Sequence, residues 1–143
     1  MGASTNKDIV RRLGVEPWEG NVGVIDDLVS ADYVGHDPAQ PDMHGPAGVK
    51  TFITTYLSAF PDGSITIDGQ LAEGDLVATR WTGRGTHNGE LMGIPPSGKE
   101  VTVSGITISR LKDGRVVEEW QNWDTLGMLQ QLGVVPDLAA ATT

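Results

Sequence analysis

The spacing of apolar residues changes once along this chain, and that change constrains the fold more than any other feature. Before residue 64, apolar residues recur every three or four positions, most clearly over 46–60, a run that Pro61 ends. From residue 64 onward, they mostly alternate with polar residues, as in strands that bury one face. Helices followed by strands predict an α+β fold in which helices pack on one face of a curved antiparallel sheet, leaving a pocket between the two layers.

The individual segments follow from the same two periods. We predict three helices at residues 4–13, 22–29 and 46–60, with a short extended piece at 33–38 between the second and the third. Four strands follow at residues 64–73, 75–87, 101–111 and 116–123, and a closing helix at 124–133. In the first strand, the alternation places Leu71 on the same face as Ile65 and Ile67. In the closing helix, the three-residue spacing predicts that Leu126, Leu129 and Leu132 point inward.

Length and composition set wider bounds. A chain of 143 residues predicts one domain over 1–143, with a core of about residues 5–135 and a frayed tail at 136–143. The net charge of −9 argues against nucleic-acid and anionic-membrane partners. Cysteine is absent, which excludes disulfides and thiol catalysis. No apolar run suits a bilayer or an export signal, so we expect a cytoplasmic protein.

Familiar catalytic and ligand-binding motifs are missing from the sequence. The three histidines lack metal-site spacing, so no metal site is expected. No glycine-rich phosphate loop and no GxSxG nucleophile turn occur. What remains is proton transfer by side chains that line a pocket.

The segment EEWQNWD, residues 118–124, holds the strongest candidate for that chemistry. A regular strand would point Trp120, Asn122 and Asp124 to one face and Trp123 to the other. Trp120 could then wall a pocket and Asn122 could orient the carboxylate, whose pKa of about 3.9 must rise for proton transfer near neutral pH. Asp124 also stands where the closing helix begins, and aspartate is a favoured N-cap. The pattern alone leaves both roles open.

Other polar residues have paired interpretations. His87, on the strand face of Trp81, is either a second acid/base or a locally bonded strand end. His36 either faces the pocket or belongs to a turn before Pro38. Arg80 is expected to point outward. The loop 88–99 is either a lid or a plain connection.

Four segments together resemble the SnoaL-like polyketide cyclases. They are DYVGHDP, GPAGVKTFITTYLSAFPD, GTHNGELMGIPPSGKEV and DGRVVEEWQNWDTLGMLQQLG, and the resemblance spans roughly residues 20–135. It implies a nuclear transport factor 2-like, or cystatin-like, α+β barrel. In that fold, N-terminal helices cover the concave face of a cone-shaped antiparallel sheet. The resemblance also implies a homodimer or homotetramer.

The same resemblance implies a reaction and a set of site residues. Family members close a ring by intramolecular aldol condensation of a hydrophobic polyketide, with no metal or organic cofactor. Asp124 would be the general acid/base, and His36 and His87 would bind or polarise substrate oxygens. Trp81 and Trp120 would wall the pocket.

Alternative functions remain because one fold hosts many chemistries. An epoxide hydrolase-, isomerase- or hydroxylase-like enzyme is possible on the same fold, and the hydrolase would need Asp124 paired with an arginine and another carboxylate. A non-catalytic small-molecule-binding module would leave Asp124 exposed and bonded only to the first helix amides.

Overall fold

The computed structural model describes residues 2–136 and contains four α-helices and six strands. The helices are α1 (Ala3–Val15), α2 (Val24–Leu28), α3 (Gly45–Ala59) and α4 (Thr125–Gln131), with a 3₁₀ turn at Glu16–Glu19. The strands are β1 (Val29–Asp37), β2 (Gln40–His44), β3 (Ser64–Glu73), β4 (Leu76–Thr86), β5 (Glu100–Lys112) and β6 (Arg115–Trp123). The α+β fold with N-terminal helices is confirmed, but β1 and β2 precede α3, so the helices do not all come before the strands. Beyond Pro136, the predicted frayed tail lies outside the described residues.

All six strands form one sheet in the order β2-β1-β6-β5-β4-β3. Neighbouring strands are antiparallel except β1 and β6, which pair in parallel, with His36 opposite Trp120. The short extended piece predicted at 33–38 is therefore part of a full strand. It pairs with β6, more than 80 residues away, and also with the adjacent strand β2, which the sequence did not predict.

The helices α1, α2 and α3 cover the concave face of the sheet. They share a core with β1, β4, β5 and β6, whose buried members are Ile9, Val10, Leu13, Val24, Ile25, Leu28, Val29, Tyr33, Val49, Ile53, Val77, Leu111 and Val116. A second buried cluster brings α4 and the 88–99 loop against the end of α3, through Ala59, Phe60, Leu91, Val101, Met128 and Leu132. The space between these two clusters is where cavities remain.

Three local predictions about side-chain direction and helix ends are wrong. Leu71 is 77% exposed, because the pairing with β4 shifts register between Ile67 and Gly69 and turns the rest of β3 over. Leu126 is 49% exposed, while Met128 takes the buried position in α4. The helix α1 continues through Gly14, where the sequence predicted its end.

Across residues 2–136, none of the helices combines the length and the apolar character that spanning a bilayer requires.

Candidate active site

Two adjoining cavities lie between the helices and the concave face of the sheet. In one, which we call the aromatic cavity, the centre of a water molecule can occupy a volume of about 80 Å³. In the other, this volume is about 120 Å³, and we call it the carboxyl cavity because Glu119 is part of its lining. Each exceeds the roughly 10–15 Å³ that one water needs, so each has room for several ligand atoms. Both are lined by Trp18, Phe52, Ile65 and Trp81, so these four side chains form the shared boundary.

The floor of the aromatic cavity is a cross-strand row of Trp81, Gly105 and Trp123 on β4, β5 and β6. A Cβ atom at Gly105 would collide with the Trp81 ring and lie 2.7 Å from the Trp123 Cβ. Gly105 therefore makes room for two indoles side by side. Tyr56 meets Trp123 edge-on, with ring centroids 5.6 Å apart, so its ring forms an aromatic wall nearly perpendicular to that indole.

Trp123 is held in place by the buried carboxylate of Asp37, which is 7% exposed. Asp37 Oδ2 accepts hydrogen bonds from Trp123 Nε1 at 3.0 Å and from Gln121 Nε2 at 2.8 Å, while Oδ1 accepts one from the Ala39 amide. Burial, together with the charge of Asp37, raises the pKa of Tyr56 to about 12. The Tyr56 hydroxyl is consequently neutral at physiological pH.

The carboxyl cavity has apolar walls from α1 and α3 and a polar end on the sheet. Glu119 accepts hydrogen bonds from Tyr33 Oη at 2.9 Å and from Ser109 Oγ at 2.5 Å. Burial raises the pKa of Glu119, and the hydrogen bonds from Ser109 and Tyr33 oppose that rise. Burial likewise raises the pKa of Tyr33 well above its usual value. Thr107 and Gln121 complete this end of the cavity.

Asp124 lies at the rim of this site and lines neither cavity. It is exposed, and its Oδ1 accepts a hydrogen bond of 2.9 Å from the Gly127 amide, which caps α4. Its neighbour Trp123 and, one turn along α4, Met128 both line the aromatic cavity. The carboxylate is thus close to the aromatic cavity in the chain, but its side chain is engaged by the helix.

The alternation predicted for β6 is confirmed, but the face chosen for the pocket is wrong. The residues on the cavity side are Glu119, Gln121 and Trp123. Trp120 lies opposite Ile108 and Asn122 opposite Ile106, on the sheet face away from the helices, which we call the outer face. The helices cover the concave side of β6, so Trp120 and Asn122 do not line the described cavities.

His36 also lies on the outer face. Its Nε2 is 2.8 Å from Glu118 Oε2 and its Nδ1 is 3.1 Å from Asp42 Oδ1. The Glu118 bond is the main cause that raises the pKa of His36. The imidazole stacks on Trp120 at 5.8 Å between centroids, and the Arg110 guanidinium also lies over that indole.

His87 is fully buried beneath the 88–99 loop rather than on a cavity wall. Its Nδ1 lies 2.9 Å from Ser97 Oγ and accepts a bond from the Ser97 amide, which places the proton of the neutral ring on Nε2. Its Nε2 has no hydrogen-bond partner among residues 2–136. The backbone carbonyl of His87 accepts from the Ser97 and Gly98 amides, so this residue fastens the loop.

The structure thus brings together Trp81 and a set of residues that the sequence did not single out. The new members are Tyr33, Asp37, Glu119, Gln121 and Trp123. The alternation along β6 could have grouped three of them, since Glu119, Gln121 and Trp123 share one strand face. Within residues 2–136, no cluster of three or more metal-binding side chains forms.

Comparisons with known proteins agree with this architecture. The family model for SnoaL-like polyketide cyclases matches residues 9–132. The aklanonic acid methyl ester cyclase DnrD of Streptomyces peucetius is 29% identical over 137 residues, covering 91% of this chain and 92% of DnrD.

Two solved structures superpose on nearly the whole chain. IdmH from Streptomyces antibioticus, provisionally a polyketide cyclase, gives a TM-score of 0.78 at 35% identity and covers 90% of this chain and 99% of its own. AclR from Streptomyces galilaeus, provisionally a hydroxylase, gives a TM-score of 0.85 at 28% identity. This match covers 99% of this chain and 92% of AclR.

Proposed function

Because this chain belongs to the SnoaL-like polyketide cyclase family, we propose that it closes a ring in a flat, apolar, carbonyl-bearing small molecule by cofactor-independent acid/base catalysis. The observation that carries the proposal is the aromatic cavity floored by Trp81, Gly105 and Trp123. An extended indole surface with few polar groups suits a fused-ring ligand by stacking and burial of apolar area. The relative DnrD suggests the substrate class, polyketide esters such as aklanonic acid methyl ester.

The proposed chemistry is an intramolecular aldol closure with Asp124 as the acid/base. The carboxylate takes a proton from the carbon between electron-withdrawing groups, and that carbon bonds to a carbonyl carbon. The protonated carboxyl then returns the proton to the new alkoxide, so substrate and product have equal mass. To reach a ligand in the aromatic cavity, Asp124 must release the Gly127 amide, which costs about 1 kcal/mol.

A non-catalytic binding module is the second candidate, and one observation favours it. Asp124 is exposed and bonds only to the start of α4 among the described residues. The hydrolase alternative has less support, since the carboxylate has no arginine partner in residues 2–136. The likeness to AclR keeps a hydroxylase reaction among the alternatives.

The outer face supports a further part of the proposal, assembly into a homodimer or a homotetramer. One row of paired residues crosses four strands: Leu71 with Ala78, Ala78 with Ile108, and Ile108 with Trp120. Leu71 and Ile108 are 77% and 40% exposed, and Ile106 in the next row is 52% exposed. A contiguous exposed apolar row of this kind is typical of an interface between protein subunits.

Incubation with aklanonic acid methyl ester in D₂O tests ring closure directly. We expect a cyclised product that is an isomer of the substrate. Any deuterium on its reacting carbon comes from reversible deprotonation before ring closure, because the closing step returns the proton to the alkoxide oxygen. Val103→Phe, which fills the aromatic cavity, should slow the reaction at least about tenfold. Ser104→Phe, on the same strand but the outer face, is the matched control. Binding without product or exchange would favour the binding module and overturn the enzymatic proposal.

A further inference from the structure

The carboxyl of Glu119 is the one acidic group that the structure places in the lining of a described cavity. It stands on β6, with Tyr33 on β1 and Ser109 on β5 holding its two oxygens. No lysine, arginine or histidine forms an ion pair with it within residues 2–136. A carboxyl that is desolvated and lacks a cation is stabilised in its protonated form.

The hydrogen bonds already made to Glu119 indicate which further bond its protonated carboxyl would make. Both Tyr33 and Ser109 have hydroxyl donors, and each can donate to one oxygen of Glu119. Once protonated, the carboxyl has one O–H to donate. While Tyr33 and Ser109 both donate to it, no other described protein acceptor is bonded to that O–H. Glu119 itself lines the carboxyl cavity, opposite apolar side chains such as Leu13 and Ile53. A ligand oxygen in that cavity is the acceptor that would complete the network.

We propose that protonated Glu119 donates a hydrogen bond to a carbonyl oxygen of the ligand and stabilises the negative charge that develops there. This inference rests on the proposed function, because the charge arises when the ring-closing carbon is deprotonated near Asp124. Glu119 and Asp124 are five residues apart, about 16 Å along an extended strand, so conjugation in the fused-ring ligand must carry that charge to a carbonyl near Glu119. A neutral carboxylic acid in an apolar site is an effective donor to such an oxyanion, and its strength is greatest where water is excluded. No covalent bond to Glu119 is formed, and its proton stays shared with the ligand oxygen.

The proposal gives the two carboxyl groups separate roles. Asp124 at the rim would move the proton, whereas Glu119 in the interior would hold the carbonyl. The boundary side chains Trp18, Phe52, Ile65 and Trp81 are common to both cavities. One flat ligand that crosses this boundary would place its ring on Trp123 and a carbonyl toward Glu119.

A pair of matched probes tests the hydrogen bond without any turnover. Fluorene and 9-fluorenone are flat tricyclic molecules of nearly equal size, and only the second has a carbonyl. Their dissociation constants are measured by quenching of tryptophan fluorescence. At the lowest pH at which the protein stays folded, where this carboxyl holds its proton, we expect wild type to prefer fluorenone by roughly five- to tenfold.

Variants at position 119 separate this role from a structural one. Glu119→Leu should bind both probes equally, whereas Glu119→Gln keeps an N–H donor and should keep the preference at every pH. Wild type should lose its preference as the pH rises and the carboxyl loses its proton. Glu118→Leu, one residue earlier on the outer face, should behave as wild type.

Two binding results would overturn the inference. One is a fluorenone preference that survives in Glu119→Leu or, if that variant does not fold, a wild-type preference that does not change with pH. The other is failure of wild type to bind either probe. Because no ring is closed in these measurements, inactivity toward a polyketide ester would leave the binding result standing. Turnover that needs Asp124 but ignores Glu119 would contradict only the inference.

Discussion

The indole N–H of Trp123 donates to Asp37 Oδ2 across 3.0 Å, and this bond joins the end of β6 to the end of β1. The same carboxylate accepts from Gln121 Nε2 and from the Ala39 amide. One buried side chain therefore orients two residues of the cavity lining, although it is absent from the lining itself.

Replacing that carboxylate should destabilise the protein. Asp37→Ala leaves three donors without their acceptor, and we expect the free energy of unfolding to fall by about 2–4 kcal/mol. Chemical denaturation followed by circular dichroism measures the change. Asp68→Ala removes an exposed carboxylate that accepts one bond from Thr82, and it should cost no more than about 0.5 kcal/mol. Equal losses in the two variants would contradict the role given to Asp37.

Gly105 should be the least tolerant position on the cavity floor. In Gly105→Ala, the added methyl would push against Trp81 and Trp123, with an expected loss of about 1–3 kcal/mol and altered near-ultraviolet circular dichroism. Gly69→Ala is the matched control in the same sheet, since a Cβ there meets no atom within 4 Å. An unchanged tryptophan signal in Gly105→Ala would show that the two indoles do not depend on this glycine.

The sequence predicted the fold better than it predicted the site, and β6 shows why. Period-two alternation was sufficient to find the strand and to separate Trp120 from Trp123. It could not tell which face the helices cover, because each face has one tryptophan and polar residues. Only the pairing of β6 with β1 and β5 decides that Glu119 and Trp123 face the helices.

Two further side-chain positions depend on long-range packing that the sequence pattern does not contain. Leu71 turns outward because of a bulge opposite β4, which has no turn signal in the sequence. For His87 the sequence left a second acid/base or a locally bonded strand end open, and the structure has the local bond, because the loop returns so that Ser97 bonds to its Nδ1. The predicted catalytic role of His87 and the predicted substrate contacts of His36, Trp120 and Asn122 stay predictions.

Protonation of His36 should make stability depend on pH. Because the pKa of His36 is raised in the folded protein, its contribution is fully present below the unfolded value of about 6.5 and is lost as the pH rises through the folded value. Wild type should therefore lose stability over that range relative to His36→Gln. In Glu118→Gln, nuclear magnetic resonance titration should show a lower pKa for His36. No shift in that titration would contradict the assigned cause.

If subunits assemble through the outer face, a substitution there should lower the molecular mass of the protein in solution. Ile108→Lys places a charge at the centre of the apolar row, where burial without a partner is costly, so the variant should be monomeric by light scattering. Leu126→Lys, on the exposed side of α4, should keep the wild-type mass. A wild-type monomer, or an Ile108→Lys variant that still assembles, would locate any interface elsewhere.

The turnover number of Asp124→Asn with aklanonic acid methyl ester, compared with wild type, tests the central claim most directly. Asparagine caps helices about as well as aspartate, so α4 and the melting temperature should be preserved while proton transfer is lost. We predict a fall in kcat of about 10²–10⁴-fold at unchanged melting temperature. An undiminished kcat in a folded Asp124→Asn variant would show that Asp124 only caps α4 and does not carry the reaction.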